Sequence, residues 1–243
     1  MLPPPFRWQD QHLQVDLPGA TALFTTRRGG VSAGPYASLN LGRWTDDDPG
    51  AVRRNRERVE EIAGARFAYV RQVHGTEVRR TGGCTTGEPA EADGIVTTAA
   101  NIAPMVLTAD CLPMAIAGGG AVGVLHGGWR GLAGGIVARG VAALRSQVGT
   151  DAPLVAAIGP GAGRCCYEVS ADVNAAFADF GPAVRRGRHL DLKAVAQRQL
   201  CDAGVAEVYD CALCTICADP ALFFSHRRDR GLTGRQAGVV WRS

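Results

Sequence analysis

Cys111, His126, Asp110 and Arg130 fall within one stretch, residues 105–135, and stand at the edges of apolar runs. The runs 105–107, 113–117 and 121–125 have strand composition, and the third leads straight into His126. A thiol and an imidazole at the ends of adjacent strands meet when a Gly-rich turn folds those strands into a hairpin. Such a pair has two uses. The imidazole can activate the thiolate as a nucleophile, or both groups can bind a soft-to-borderline metal. The bland alternative is a buried thiol beside a satisfied core histidine. It leaves Asp110 and Gly127-Gly128 without a packing reason to flank the pair.

His74, in Gln72-Val73-His74-Gly75, lies between two predicted strands and offers a third ligand. A His/Cys/His set with one open position has the ligand count of a catalytic zinc site. A competing metal proposal is Cys165-Cys166 together with Cys211, Cys214 and Cys217, a C-x-x-C-x-x-C run for which His226 is the nearest further ligand. Arg27 beside Gly29-Gly30, and Arg130 in the loop 126–135 that opens a helical pattern, suit an anion site. That loop is not a P-loop, since no Lys-Ser/Thr follows its glycines. Residues 118–123 match G-x-G-x-x-G, but a strand follows rather than a helix, so a hairpin turn is expected and a dinucleotide site is not.

The elements that must position these groups are legible as alternating short strands and helices. Strands are expected near 13–17, 22–26, 67–70, 77–80, 93–97, 104–108, 113–117, 121–125, 154–158, 205–209 and 236–241. Asp48 and Pro49 predict a helix start and Gly64 its stop, with Val52, Val59 and Ile62 facing inward. Further helices are expected over 136–148, over 171–180, and from Asp191 to Gly204 with Leu192, Val195, Ala196 and Leu200 inward. The pattern predicts an α/β layered fold of mixed β-sheets flanked by helices. Residues 1–243 read as a single domain, with 1–20 a less regular arm.

The totals narrow the class. Hydrophobic residues make up 46% of 243 and aromatics only 6%, so a core of Ala, Val, Leu and Ile is expected. A net charge of +3 without any long basic block argues against nucleic acid. There is no signal-peptide pattern and no run of about 18 apolar residues, so no membrane partner is expected. Eight cysteines without a signal segment point to a reducing, cytoplasmic setting with free or metal-bound thiols.

Seven motifs, in order, carry a resemblance: residues 25–32 (TTRRGGVS), 38–42 (SLNLG), 72–75 (QVHG), 92–97 (ADGIVT), 108–113 (TADCLP), 126–131 (HGGWRG) and 165–169 (CCYEV). From about residue 21 to 241 the chain resembles the YfiH/YlmD family, also called the laccase-domain or multicopper polyphenol oxidase family. The resemblance implies a fold shared with the cytotoxic necrotizing factor deamidases, which use a Cys–His pair. It implies zinc on His74, Cys111 and His126, and a purine nucleoside phosphorylase activity accompanied by adenosine deaminase and S-methyl-5'-thioadenosine phosphorylase activities. Some members are instead named peptidoglycan editing factors. The chain departs from the family at Gly127, usually Ala; at Arg43-Trp44, where many members have a His; and at His226, commonly a Tyr.

A trinuclear copper cluster needs paired histidines, and this chain has five His in all and no His-x-His, so a laccase mechanism of that kind is rejected. A single copper at the His/Cys/His set is an alternative to zinc. The expectation is therefore a zinc-dependent enzyme acting on purine nucleosides with phosphate as co-substrate, as a monomer or small homo-oligomer. Cys111, His126 and Asp110 are the expected catalytic residues; Arg27, Asn40 and Arg130 are expected at the substrate. The alternative is an amidohydrolase that edits a cell-wall precursor, and a metal-dependent binding protein is a third.

Overall fold

The computed structural model describes residues 2–243; Met1 lies outside it. Its strands form two six-stranded mixed sheets and a small ribbon. The first sheet contains β1 (Arg7–Gln9), β2 (His12–Leu17), β3 (Ala20–Phe24), β4 (Arg66–Tyr69), β7 (Ile102–Thr108) and β14 (Gln236–Arg242), in the order β1-β2-β3-β14-β7-β4. The second contains β5 (Val78–Arg80), β6 (Gly94–Thr97), β8 (Leu112–Gly118), β9 (Ala121–Gly127), β10 (Val155–Ile158) and β13 (Glu207–Asp210), in the order β13-β10-β8-β9-β6-β5. The ribbon pairs β11 (Arg185–Arg186) with β12 (His189–Leu190). Helices α1 (Pro49–Ala63), α2 (Trp129–Gly134), α3 (Ile136–Val148), α4 (Ala171–Ala175) and α5 (Leu192–Asp202) complete the elements.

The two sheets stack face to face, and the period-2 pattern of each strand decides which layer a side chain joins. Along β8 and β9, Ala115, Ala117, Val122 and Val124 meet Leu13, Val15, Phe24, Val106 and Val240 of the first sheet. The alternate residues Leu112, Met114, Ile116 and Leu125 face α3 and α5 through Ile136, Val141, Leu144, Val195 and Leu200. On the far side of the first sheet, Val59 and Ala63 of α1 cover Leu23, Met105 and Val239. The result is helix, sheet, sheet, helix. Small alanines line the middle layer, which is how a chain poor in aromatics fills it at close spacing.

Several expectations are met locally. The Asp48 carboxylate accepts from the amides of Gly50 and Ala51 at 3.0 and 2.9 Å, and Gly64 closes α1 in the left-handed conformation at φ 61°. Gly119 and Gly120, at φ 59° and 84°, form the two-residue turn between β8 and β9, so the glycine run is a hairpin, as read. Others need correction. Ile62 is 48% exposed; the buried stripe of α1 runs through Val52, Asn55, Arg56, Val59 and Ala63 instead. The N-terminal arm is more regular than expected, because β1 and β2 extend the first sheet beyond β3. The predicted helix over 171–180 stops at Ala175 and continues only as a short 3-10 turn. The Gly-rich segment after His126 is itself the one-and-a-half-turn helix α2, separated from α3 by Gly135 at φ 89°.

Candidate active site

The β8–β9 hairpin sets the site. Its register pairs Pro113 with His126 and Leu112 with Gly127, which leaves Cys111 at the mouth of the same ladder. β9 runs two residues beyond the apolar run 121–125, so His126 lies inside the strand rather than past its end. His74 arrives from the loop between β4 and β5. Ligand atoms of His74, Cys111 and His126 all lie within 4.8 Å of one another, and the two imidazoles meet edge to face at 4.8 Å between ring centroids.

Asp93 holds this arrangement, and its role was not evident from the sequence. It directly precedes β6, and β6 pairs with β9, so its carboxylate is carried beside His126. His126 Nδ1 and Asp93 Oδ1 are 2.8 Å apart; with Nδ1–H donating, Nε2 is left for the ligand side. The same fully buried carboxylate accepts from the amides of Val73, His74 and Gly75 at 3.2, 3.0 and 2.6 Å. Those three bonds hold His74 in the left-handed region at φ 59°, a conformation that costs a non-glycine residue about 1 kcal/mol or more. One carboxylate thus orients one histidine through its ring and the other through its backbone.

The electrostatics follow from this packing. Burial opposes the Cys111 thiolate, but His126 and His74 beside it bring its pKa down to about 6. Burial likewise opposes protonated His126, yet Cys111 and Asp93 raise it to about 9. In the absence of a metal, a thiolate–imidazolium pair is the stable form near neutral pH. Asp93 stays below the ordinary carboxylate range: burial works against its charge, and His126 and the amides of Gly75 and Val73 outweigh it.

Geometry around the trio leaves room for an ion. Gly128 faces it, and a Cβ there would stand 3.0 Å from His74 Cδ2 and 3.3 Å from Cys111 Sγ. Two imidazoles and one thiolate are a donor set that zinc and copper both accept. The trio lies in a cleft of about 410 Å³ whose lining includes Gln72, Tyr167, His226, Arg227 and Arg235, within the size range of small-molecule sites. A larger cavity, about 530 Å³, opens beside α1 near Arg43, Arg56 and Tyr69, but it holds no grouped thiols or imidazoles among the described residues.

The other expected site residues are placed differently. Asp110 lines the cleft, but both its oxygens are engaged, one by the Thr215 hydroxyl at 2.6 Å and one by the Arg227 amide at 2.7 Å. It anchors two loops rather than standing free to carry a proton. Arg27 is outside the cleft: its guanidinium donates to the carbonyls of Ala37, Pro220 and Pro35 and stacks on Phe224. Asn40 is fully buried; its amide donates to Thr45 and Asp47, and its oxygen accepts from the amides of Gly42 and Arg235. It shapes the cleft wall without lining it. Arg130 is exposed and stacks on Trp129 at 4.5 Å, away from the cleft lining. The cationic groups that do line the cleft are Arg227 and Arg235, from the C-terminal segment. Their only sequence signal was a run of arginines after Ser225.

The sequence profile of the family described as "Multi-copper polyphenol oxidoreductase laccase" matches residues 21–243. A Xylella fastidiosa protein named purine nucleoside phosphorylase is 44% identical over 247 residues, covering 92% of this chain and 93% of that protein. Among solved structures, Geobacillus stearothermophilus YlmD superposes with a TM-score of 0.88 at 34% identity, covering 99% of both chains. The Bacillus licheniformis protein YfiH superposes with a TM-score of 0.90 at 31% identity, covering 99% of this chain and all of that one.

Proposed function

This chain belongs to the multi-copper polyphenol oxidoreductase laccase family, and we propose that it is a zinc-dependent purine nucleoside phosphorylase. The observation that carries the reading is the convergence of His74, Cys111 and His126 in a nucleoside-sized cleft, in a chain alike over nearly its whole length to proteins named purine nucleoside phosphorylase. Zinc suits a set of two imidazoles and one thiolate with an open fourth position, and copper is the alternative on raw affinity. When bound, the ion would supply positive charge that polarises an oxygen of phosphate or water.

The chain's own residues then have definite tasks. Asp93 fixes the tautomer of His126 and the backbone of His74, so both rings are pre-set before substrate arrives. Arg227 and Arg235 give the cleft a cationic wall suited to inorganic phosphate. In phosphorolysis a phosphate oxygen bonds to the ribose C1′ while the C1′–N9 bond breaks and its electron pair leaves with the purine. His226, on the same wall, is the group we assign to proton delivery to the departing base. Tyr167, pushed up to about 12 mainly by burial, stays protonated and can donate to the sugar or base. The same reading includes deamination of adenosine and phosphorolysis of S-methyl-5'-thioadenosine. The test is to incubate purified, zinc-loaded protein with adenosine and phosphate and to quantify inosine, adenine and ribose 1-phosphate. Formation of adenine with stoichiometric ribose 1-phosphate is expected; absence of every product overturns the reading.

One observation favours a second reading. Cys111, His126 and Asp93 form a thiolate, imidazole and carboxylate chain like that of Cys–His hydrolases, the kind of site the cytotoxic necrotizing factor deamidases use. In that case the substrate is an amide of a cell-wall precursor: the Cys111 sulfur bonds to its carbonyl carbon, the C–N bond breaks as His126 gives its proton to the departing amine, and water then releases the acyl group from the sulfur. Turnover that survives chelation and is lost on alkylation of Cys111 would select this reading over the first.

A further inference from the structure

Outside the cleft's trio, Cys165, Cys166, Cys214 and Cys217 bring their sulfurs together, all within 4.8 Å of one another. We propose that these four thiols form a second metal site, a closed four-thiolate zinc centre that staples the loop after β10 to the loop after β13.

The observations are geometric and chemical. Four sulfurs at tetrahedral corners, each about 2.3 Å from a zinc ion, stand about 3.8 Å apart. Cys165 Sγ and Cys217 Sγ are 3.5 Å apart, and the remaining separations stay inside the same 4.8 Å envelope. A disulfide needs about 2.05 Å, so no pair is at bonding distance. A multi-iron cluster, in which each iron takes its own cysteine, sets the sulfurs wider than one ion does. The amide of Gly163 donates to Cys214 Sγ at 3.3 Å, an N–H···S bond of the kind that stabilises thiolate ligands. The group combines a neighbouring pair, Cys165-Cys166, with a C-x-x-C pair, Cys214 and Cys217. Cys165 and Cys217 are exposed, which gives an ion an entry path.

The expected third cysteine of the run is elsewhere. Cys211 follows β13 directly, is fully buried, and packs against Lys193 rather than joining the group. His226 lines the cleft instead. With four protein ligands the centre has no open position, so its role is structural. Besides the Gly163–Cys214 bond, the loops it would join are linked by backbone bonds near their bases: Thr215 donates to the Gly161 carbonyl at 3.0 Å, Gly161 to Leu213 at 3.4 Å and Cys211 to Ile158 at 3.1 Å. Both loops reach the catalytic cleft, one through Tyr167 and the other through the Thr215–Asp110 bond.

The experiment uses the full chain, purified under reducing conditions, with metal counted by mass spectrometry. The His74→Ala variant removes a ligand of the cleft site only, and it should retain one zinc per chain. Its cobalt-substituted form should show the intense sulfur-to-cobalt charge transfer and visible bands of a tetrahedral all-thiolate centre. Adding Cys214→Ser and Cys217→Ser to His74→Ala should remove that zinc and those bands. A folded His74→Ala protein with no zinc and no such cobalt spectrum overturns the proposal, as does a native mass showing these cysteines joined as disulfides. The cobalt spectrum requires no cysteine substitution, so the test stands even if the serine variants fail to fold.

Discussion

The lone thiol of the cleft, Cys111, and the Cys165 thiol of the four-cysteine group have pKa values driven in opposite directions by their neighbours. At Cys111, two imidazoles overcome burial and bring the thiol down to about 6. At Cys165, burial and the hydrogen bonds of neighbouring thiols push it up to about 11. A thiol among imidazoles ionises by sharing charge with a partner that gains a proton. In the group of four, burial works against the Cys214 thiolate, but the amides of Cys217, Gly163 and Ile216 outweigh it and lower its pKa, while its neighbours Cys165 and Cys166 are raised and give up their protons only when a cation is supplied. The first arrangement leaves a ligand position open and suits turnover; the second fills all four and suits a staple.

The largest effect should come from breaking the open site. Cys111→Ser or His126→Ala removes one of three ligands, and phosphorolysis should fall by about 10³-fold or more, with loss of the cleft metal. The comparison breaks if zinc leaves and turnover stays. Next is the difference in thiol reactivity. In protein stripped of metal at pH 7, Cys111 is mostly thiolate, whereas only about one Cys165 in 10⁴ is ionised. The lower intrinsic nucleophilicity of the more acidic thiol gives back roughly two of those decades. Iodoacetamide should therefore modify Cys111 about 10²-fold faster than Cys165, although Cys165 is the more exposed. Peptide mapping over time measures it, and zinc added beforehand should protect Cys111.

How much of this was legible depended on whether a residue's role is set locally. Cys111 and His126 could be paired from sequence because one hairpin, with a glycine turn, brings them together. The layers were legible from strand-length apolar runs alternating with helical spacing. Asp93 stood in a recognised motif, yet its role depends on β6 lying beside β9, a contact between strands separated by β7 and β8, and no period reports that. Arg27 and Arg130 could be read as loop arginines, but not the direction in which their loops face; Arg227 and Arg235 take the cleft because the C-terminal segment returns beside it. In the cysteine run, Cys211 was grouped with Cys214 and Cys217 by spacing alone. The end of β13 turns Cys211 inward and leaves the other two outside.

Asp93 tests how far pre-organisation makes the open site. Asp93→Asn keeps the shape, but the neutral amide loses the charge that favours the His126 ring and has one oxygen where the carboxylate offers two. Zinc affinity measured by chelator competition should drop about 10- to 100-fold. The Cys165 group should be unaffected, because Asp93 touches none of its members. Gly128→Ala is a smaller, purely steric probe. Gly128 has an ordinary extended backbone at φ −74°, so alanine is tolerated by the chain, and the nearest atoms its methyl meets belong to His74, Cys111 and His126. Affinity should weaken about tenfold, in line with overpacking a filled site by one methyl, with little change in melting temperature. An unchanged affinity would mean that the three ligands retain slack around the ion.

The contrast between neighbours extends to imidazoles and yields the smallest effect. His126 has an anion on each side and, in metal-free protein, is raised to about 9. His12 is also buried, but its Nδ1 faces the Thr26 amide at 3.2 Å, a donor that only an unprotonated nitrogen can accept. Burial therefore lowers the His12 pKa from its ordinary 6.5. As pH falls through 6.5 the unfolded chain takes up this proton first, so stability is level above 6.5 and decreases from there down to the lowered folded pKa. Urea midpoints across pH 5 to 7.5, compared between the zinc-loaded protein and its His12→Gln variant, isolate the contribution. The variant should be less stable at neutral pH yet lose less on acidification. Equal slopes would mean that His12 protonates in place, with the Thr26 amide finding another acceptor.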